Sequence, residues 1–348
     1  MQFRRFHSFL WLPSLKARIM KKLIATVILV VAALVVVGLT IFQSTFDVNG
    51  NERPNSVKVR SGASESEMTS SPDATRREVA VGYFDKLDAD GPFDVKFSRG
   101  EGGKIVLYGK KEFLEHVKVE VRKSCLYIDY ESSFLKNKRS LGKDARVEVL
   151  VHAQTLREIE SEASATFTTD NINSPDALKI AAESGAKVSI GSVTCVTFEA
   201  DAESGADIIV NKLQATDVKA DAESGAGVVL AAIAAPNVSV DAESGAHLTI
   251  DTVNADEFAA DADSSGQINV KVLTARNVKG SADSGAAIKL QGKTNRVVLS
   301  ADSGASIQAG KLEAEYATVR QSSGGNITYC AISGDYNNSR SAKNTYKK

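Results

Sequence analysis

From residue 181 onward the chain repeats itself every twenty positions. AAESGAKVSI, DAESGADIIV, DAESGAGVVL, DAESGAHLTI, DADSSGQINV and SADSGAAIKL begin at residues 181, 201, 221, 241, 261 and 281. A nineteen-residue step leads to ADSGASIQA, QSSGGNITY follows twenty further on, and a degenerate copy, SEASATFTT, starts at Ser161. Self-similarity at one fixed short period marks a solenoid, in which each unit buries its apolar face only against its neighbours.

Alignment on the Ser of S-G-A turns the repeat into columns. Val188, Ile208, Val228, Leu248, Ile268, Ile288, Ile307 and Ile327 form one, with Phe167 in the early copy. Ile190, Val210, Leu230, Ile250, Val270 and Leu290 form a second. Before the corner runs a column of small residues, Ala182, Ala202, Ala222, Ala242, Ala262, Ala282 and Ala301, and a large one, Phe198, Val218, Val238, Phe258 and Val278. Apolar and polar positions alternate with period two, as in strands. The Leu/Asn signature of a leucine-rich strand–helix unit is missing. The spacing predicts an all-β, right-handed parallel β-helix with about twenty residues per coil. Nine coils stacked about 4.8 Å apart would make a rod on the order of 40 Å long. Glycine recurs where the strand must bend, since it takes positive φ readily. Ser265 stands in the glycine slot of one copy, which implies a corner shifted by one residue or strained.

The rest of the chain organises around this rod. Leu23 to Phe42 is an uncharged apolar run long enough to cross a hydrocarbon core as a helix. Lys16, Arg18, Lys21 and Lys22 precede it, so residues 1–22 should be cytoplasmic and everything after Phe42 exported. It reads as a signal peptide or a signal anchor; its length and the lack of an A-x-A site favour a transmembrane anchor at 23–42. Met20 would itself make an ordinary export-signal start. Residues 43–77 are a polar tether, too poor in apolar residues to fold. From Glu78 to about Val151, segments such as FDVKFSR, KIVLYG, VKVEVR and CLYIDY predict a β-rich N-terminal region. KEFLEH reads as one helical turn and FLKNKRSLGKD as a basic loop. The folded domain is placed at 78–334, with repeats from about 160, and 335–348 is a polar, basic tail.

FDKLDADGPFDVKF (Phe84 to Phe97), the V-x-V and C-L-Y-I-D pair near residues 118–129 and the repeated S-G-A corner together resemble the head GIN domain family of bacteria, described as putative auto-transporter adhesins. The resemblance covers Phe84 to Ile332. It implies an exported β-helix, often with an N-terminal signal or anchor, a role in adhesion, and no catalytic residues to carry over. The chain departs from it in having more, and more regular, repeats and an acidic corner.

That corner is the candidate site. Glu183, Glu203, Glu223, Glu243, Asp263, Asp283 and Asp302 each precede a corner serine, and Asp201, Asp221, Asp241 and Asp261 stand two positions earlier. The alanines between them point inward, so both sets point outward and stack as two ladders. A like-charge pair about 5 Å apart costs about 0.8 kcal/mol even at the dielectric of water. The offset would come from solvent and N–H donors at the corner, from a weak divalent-cation site, calcium being the candidate, or from a cationic partner. The calcium-binding G-G-x-G-x-D nonapeptide is absent.

Nothing points to catalysis. His7, His116, His152 and His247 are scattered, and the serines repeat as corner residues with no His–Asp partners. Cys195 shares a column with Ala215, Ala235, Ala255 and Ala275, which makes it a packing residue; Cys125, Cys195 and Cys330 have neither disulfide nor metal spacing. A net charge of −1 gives no attraction to nucleic acid. The expectation is a non-catalytic module of the bacterial envelope that has no resident cofactor and binds an envelope glycan or protein. Self-assembly end to end through exposed strand edges is the alternative.

Overall fold

The computed structural model describes residues 74–137 and 145–338, with only the backbone over 332–338. The anchor at 23–42, the bulk of the tether and the end of the tail lie outside the described residues. Among the described residues no helix is long and apolar enough to cross a membrane.

The repeats fold as a parallel β-solenoid of about twenty residues per turn, as the periodicity predicts. From β10 (Ala177–Ala182) to β16 (Asn237–Ala242) each coil contributes one strand before the S-G corner and one after it. From β17 (His247–Ala262) to β21 (Asn326–Asn338) the strand after one corner runs unbroken to the next. The register matches the sequence columns, with Val188, Ile208, Val228, Leu248, Ile268, Ile288, Ile307 and Ile327 paired in succession. All eight are at most 1% exposed. A third inward column, Val193, Leu213, Ile233, Val253 and Leu273, packs beside them and closes the core.

The corner is a tight turn. Ser184 and Gly185 have φ of 52° and 74°, and the Ala186 N–H donates to the Glu183 carbonyl at 3.0 Å. Two successive positive φ values closed by this bond are the signature of a type I′ turn. Serine therefore occupies the left-handed region in coil after coil, a conformation costing about 1–2 kcal/mol for an L-residue. At the divergent copy the corner does not shift. Ser264 and Ser265 take φ of 48° and 70°, and the Gly266 N–H donates to the Asp263 carbonyl at 2.7 Å. The strain falls on Ser265, and Gly266 draws in so far that a Cβ there would stand 1.9 Å from the Ala242 carbonyl oxygen.

The N-terminal region does not simply precede the solenoid; it is interleaved with it. β2 (Lys86–Asp90) and β3 (Phe93–Arg99) form a coil that lies between two others. On one side lie β8 (Glu158–Glu162) and β9 (Thr166–Asn173), on the other β6 (Cys125–Tyr130) and β7 (Val147–Ala153), all parallel. The chain thus lays down its second coil first, climbs over it, and then passes back beneath. β4 (Lys104–Gly109) turns antiparallel against β7, β1 (Thr75–Ala80) against β4, and β5 (Val117–Arg122) against β6. These antiparallel strands cap the rod with sequences rich in Arg, Lys and Glu, which discourage further pairing.

Aromatic packing fixes the cap: Phe93 stacks on Tyr130 at 5.1 Å and Phe97 on Phe167 at 6.2 Å. The Thr166 hydroxyl donates to Asp94 at 2.6 Å across 72 residues of sequence. The KEFLEH turn is present as a helix at Lys111–Leu114. The basic loop is corrected in part, since its first residues continue a helix at Ser132–Asn137, where Phe134 packs on Tyr130 and His116.

Candidate functional site

Strand register brings the predicted carboxylates together. Asp201, Asp221, Asp241 and Asp261 pair in succession along the strands before the corner, forming one unbroken ladder. Its middle is half-buried, so charge is held against a partly dry surface. Burial, reinforced by Asp261, Glu243 and Asp221, pushes the Asp241 carboxyl up to about 6. Burial and Asp221 raise Asp201 in the same direction. Lys219 reaches Asp221, so one rung has a local counter-charge.

The second ladder, next to the corner, divides by side-chain length. Asp263, Asp283 and Asp302 each accept a hydrogen bond from the backbone N–H of the following serine, at 2.5, 2.6 and 2.6 Å. Hydrogen bonds from Ser323, Ser322 and Ser303 hold Asp302 below the usual carboxylate range. These corner donors are one of the offsets foreseen for stacked charge, and they come from the serine rather than the glycine. Glu183, Glu203, Glu223 and Glu243 are one methylene longer; Glu183, Glu223 and Glu243 are exposed and Glu203 is half-buried. Burial, Asp201, Glu183 and Glu223 raise Glu203.

Five further acids carry the stripe into the cap, although Ala181 interrupts the first ladder between Asp201 and Glu160. Glu160 pairs with Asp88, while Asp90 pairs with both Glu162 and Asp129. Glu162 closes its corner through the Ala165 N–H as Glu183 does through Ala186. Burial is the first cause raising Asp88, Asp129, Glu160 and Glu162, with neighbouring carboxylates adding to it. The outcome is an acidic stripe along one face from Asp129 to Asp302. Among the described residues no three His, Cys, Asp or Glu side chains converge as a metal centre requires. The stripe is a linear array of charge, not a chelating cage.

The remaining chemical groups are placed as packing or surface residues. Cys195 is buried in its alanine column, where burial pushes the thiol up to about 11. His247 is exposed. Ser98 Oγ and His152 Nδ1 lie 2.7 Å apart as a register pair of β3 and β7, and no described carboxylate completes a relay with them.

The architecture defines a class: a β-solenoid domain, capped at its N-terminal end and carrying one acidic face. The family model described as "Putative auto-transporter adhesin, head GIN domain" matches residues 83–251 and 231–334, and the chain belongs to that family. A putative adhesin from Parabacteroides merdae shares the fold, with a TM-score of 0.56 at 16% identity, over 72% of this chain and 96% of that one. A Parabacteroides distasonis structure titled as a putative lipid binding protein has a TM-score of 0.50 at 15% identity, over 79% and 97%. No curated protein matches the chain.

Proposed function

We propose that the chain is a non-catalytic adhesion or ligand-binding module of the bacterial envelope. Residues 23–42 hold it in the cytoplasmic membrane, the polar residues between 43 and the start of β1 tether it, and a right-handed solenoid stands outside. The observation that carries this reading is the register. Outward residues recur at a spacing of about 4.8 Å over about nine turns, so an extended ligand meets the same kind of surface again and again. Catalysis needs one place where unlike groups converge, and the acidic stripe instead repeats like groups.

The interior is filled by side chains that are almost wholly buried, so any ligand, an acyl chain included, would lie on the surface. The charged strands closing the N-terminal end weigh against the alternative of an open end-to-end polymer.

Beads coated with the full chain should be retained on immobilised envelope glycan or protein, and beads coated with heat-unfolded chain should not. Equal retention of both would refute the binding role. An alkaline phosphatase fused after Lys348 should be active in intact cells; an inactive fusion would refute export.

A further inference from the structure

Resting on the binding-module reading, we infer that the last three coils carry a specific site for an acidic glycan, on the strands that follow the S-G corner. The solenoid's symmetry fails there. The repeat shortens from twenty residues to nineteen between Gly285 and Gly304. The ladder slips between Lys289 and Gln291, and again one coil on between Ala309 and Glu313. Bulges of this kind bend a strand and re-aim its side chains, and they gather at functional surfaces. Beside these slips lies a groove of about 320 Å³, within the range of small-ligand sites.

The lining changes character with the geometry. In the middle coils the outward column reads Ile209, Val229 and Thr249; towards the groove it becomes Asn269, Lys289, Gln308 and Thr328. Lys311 pairs in register with Gln291 on the next column, placing the two lysines about 8 Å apart at Cα by strand spacing. Several lysines of the rod meet acids on neighbouring coils, as Lys187 does Asp207, Lys271 does Asp251 and Lys293 does Glu313. Lys289 and Lys311 have no such partner among the described residues, and no acid lines the groove.

Two unpaired ammonium groups set among amides and hydroxyls offer charge-assisted bonds to an anion and plain hydrogen bonds to the hydroxyls around it. That set matches a sugar bearing a carboxylate or a sulfate. The acidic stripe lies at the corner and on the stretch before it, whereas the groove lies on the stretch after it, so an anionic chain is steered towards the groove.

The test is titration calorimetry of the full chain in detergent with three probes: a galacturonic acid oligomer, a sulfated oligosaccharide and a neutral galactose oligomer of matching length. The wild type should bind at least one acidic probe, and which one it prefers identifies carboxylate or sulfate as the anion. Lys289→Gln and Lys311→Gln should each weaken that binding about ten-fold or more, and the double variant should abolish it. Lys212→Gln, an exposed lysine outside the groove, should leave it unchanged. Melting curves of all variants should match the wild type. Failure of both acidic probes to bind, or equal loss with Lys212→Gln, overturns the site. Binding of the neutral probe that survives the double variant overturns the site and leaves the binding module standing.

Discussion

Replacing Asp241 by Asn should stabilise the protein, and by an amount that depends on pH. Asp241 stands between Asp221 and Asp261 in an unbroken ladder. At a spacing of about 5 Å, each neighbour costs about 0.8 kcal/mol in water, and screening at 0.15 M salt roughly halves this. Two neighbours then cost about 0.8 kcal/mol. The carboxyl's rise to about 6 would, at face value, correspond to about 3 kcal/mol. The group is only half-buried, so solvent screening brings that towards the same value of about 1 kcal/mol.

The folded-state value lies above the unfolded value of about 3.9, so the folded chain holds the extra proton between those two limits. The penalty is complete above about pH 6, about half relieved at pH 5 and gone below about pH 4. Asn keeps hydrogen-bonding capacity and removes the charge. Thermal melting of the full chain and of D241N at 0.15 M salt is the assay. For a domain of this size, about 1 kcal/mol corresponds to a shift of about 2–4 °C. D241N should melt about that much higher at pH 7.5, with half the gain at pH 5 and none at pH 4. A lower melting temperature at pH 7.5, or a gain that ignores pH, would show that Asp241 is a needed acceptor or ion ligand and would refute the repulsion argument.

Four further outcomes follow from other parts of the fold. Ser265→Gly relieves a left-handed serine and should raise the melting temperature by about 2–4 °C, while Gly225→Ser should lower it by a similar amount; no change in either would remove strain from the corner. Phe198→Ala empties a fully buried site in the coil interior and should cost about 3–5 kcal/mol, read as a fall on the order of 10 °C in the same melt. Calcium at millimolar level should raise the melting temperature no more than magnesium does, as expected of a diffuse counterion; a calcium-specific rise that chelator reverses would place an ion site in the stripe. Changing Lys118, Glu120 and Arg122 together to Thr uncharges the β5 edge and should produce concentration-dependent oligomers in sedimentation; a strictly unchanged species would mean that charge is not what protects that end.

The repeats were legible because each coil's contacts are one period apart in the sequence, so the columns of Val188 and Ala182 can be read by simple alignment. The corner was legible as a bend and not as a turn type, because serine is not the residue expected at positive φ. A further core column, Val193 through Leu273, had a signal at the same period and was missed because the alternation of inward and outward residues breaks between Ile190 and Val193. The cap was legible only as strands. Its acids Asp88, Asp90, Asp129, Glu160 and Glu162 belong to the ladders through β2 lying between β6 and β8, and nothing local in the sequence states that order. Contacts such as Asp94 with Thr166 span 72 residues, well outside any repeat period.

This interleaving gives the rod unlike ends, and with them a direction. At the N-terminal end the chain crosses over itself, so the first parallel coil is covered on both faces and its outermost strands are antiparallel and charged. A second molecule cannot continue the parallel ladder there, because the strand it would meet runs the wrong way and presents Arg, Lys and Glu. Asp201 to Asp261 stack without a break in the middle, whereas from Val270 onward the ladder slips, beside Lys289 and Lys311 among other places. A repeat protein gains stability from every coil that obeys the pattern and specificity from the few that do not. On this chain the coils whose ladder slips lie towards the end of the solenoid away from the cap.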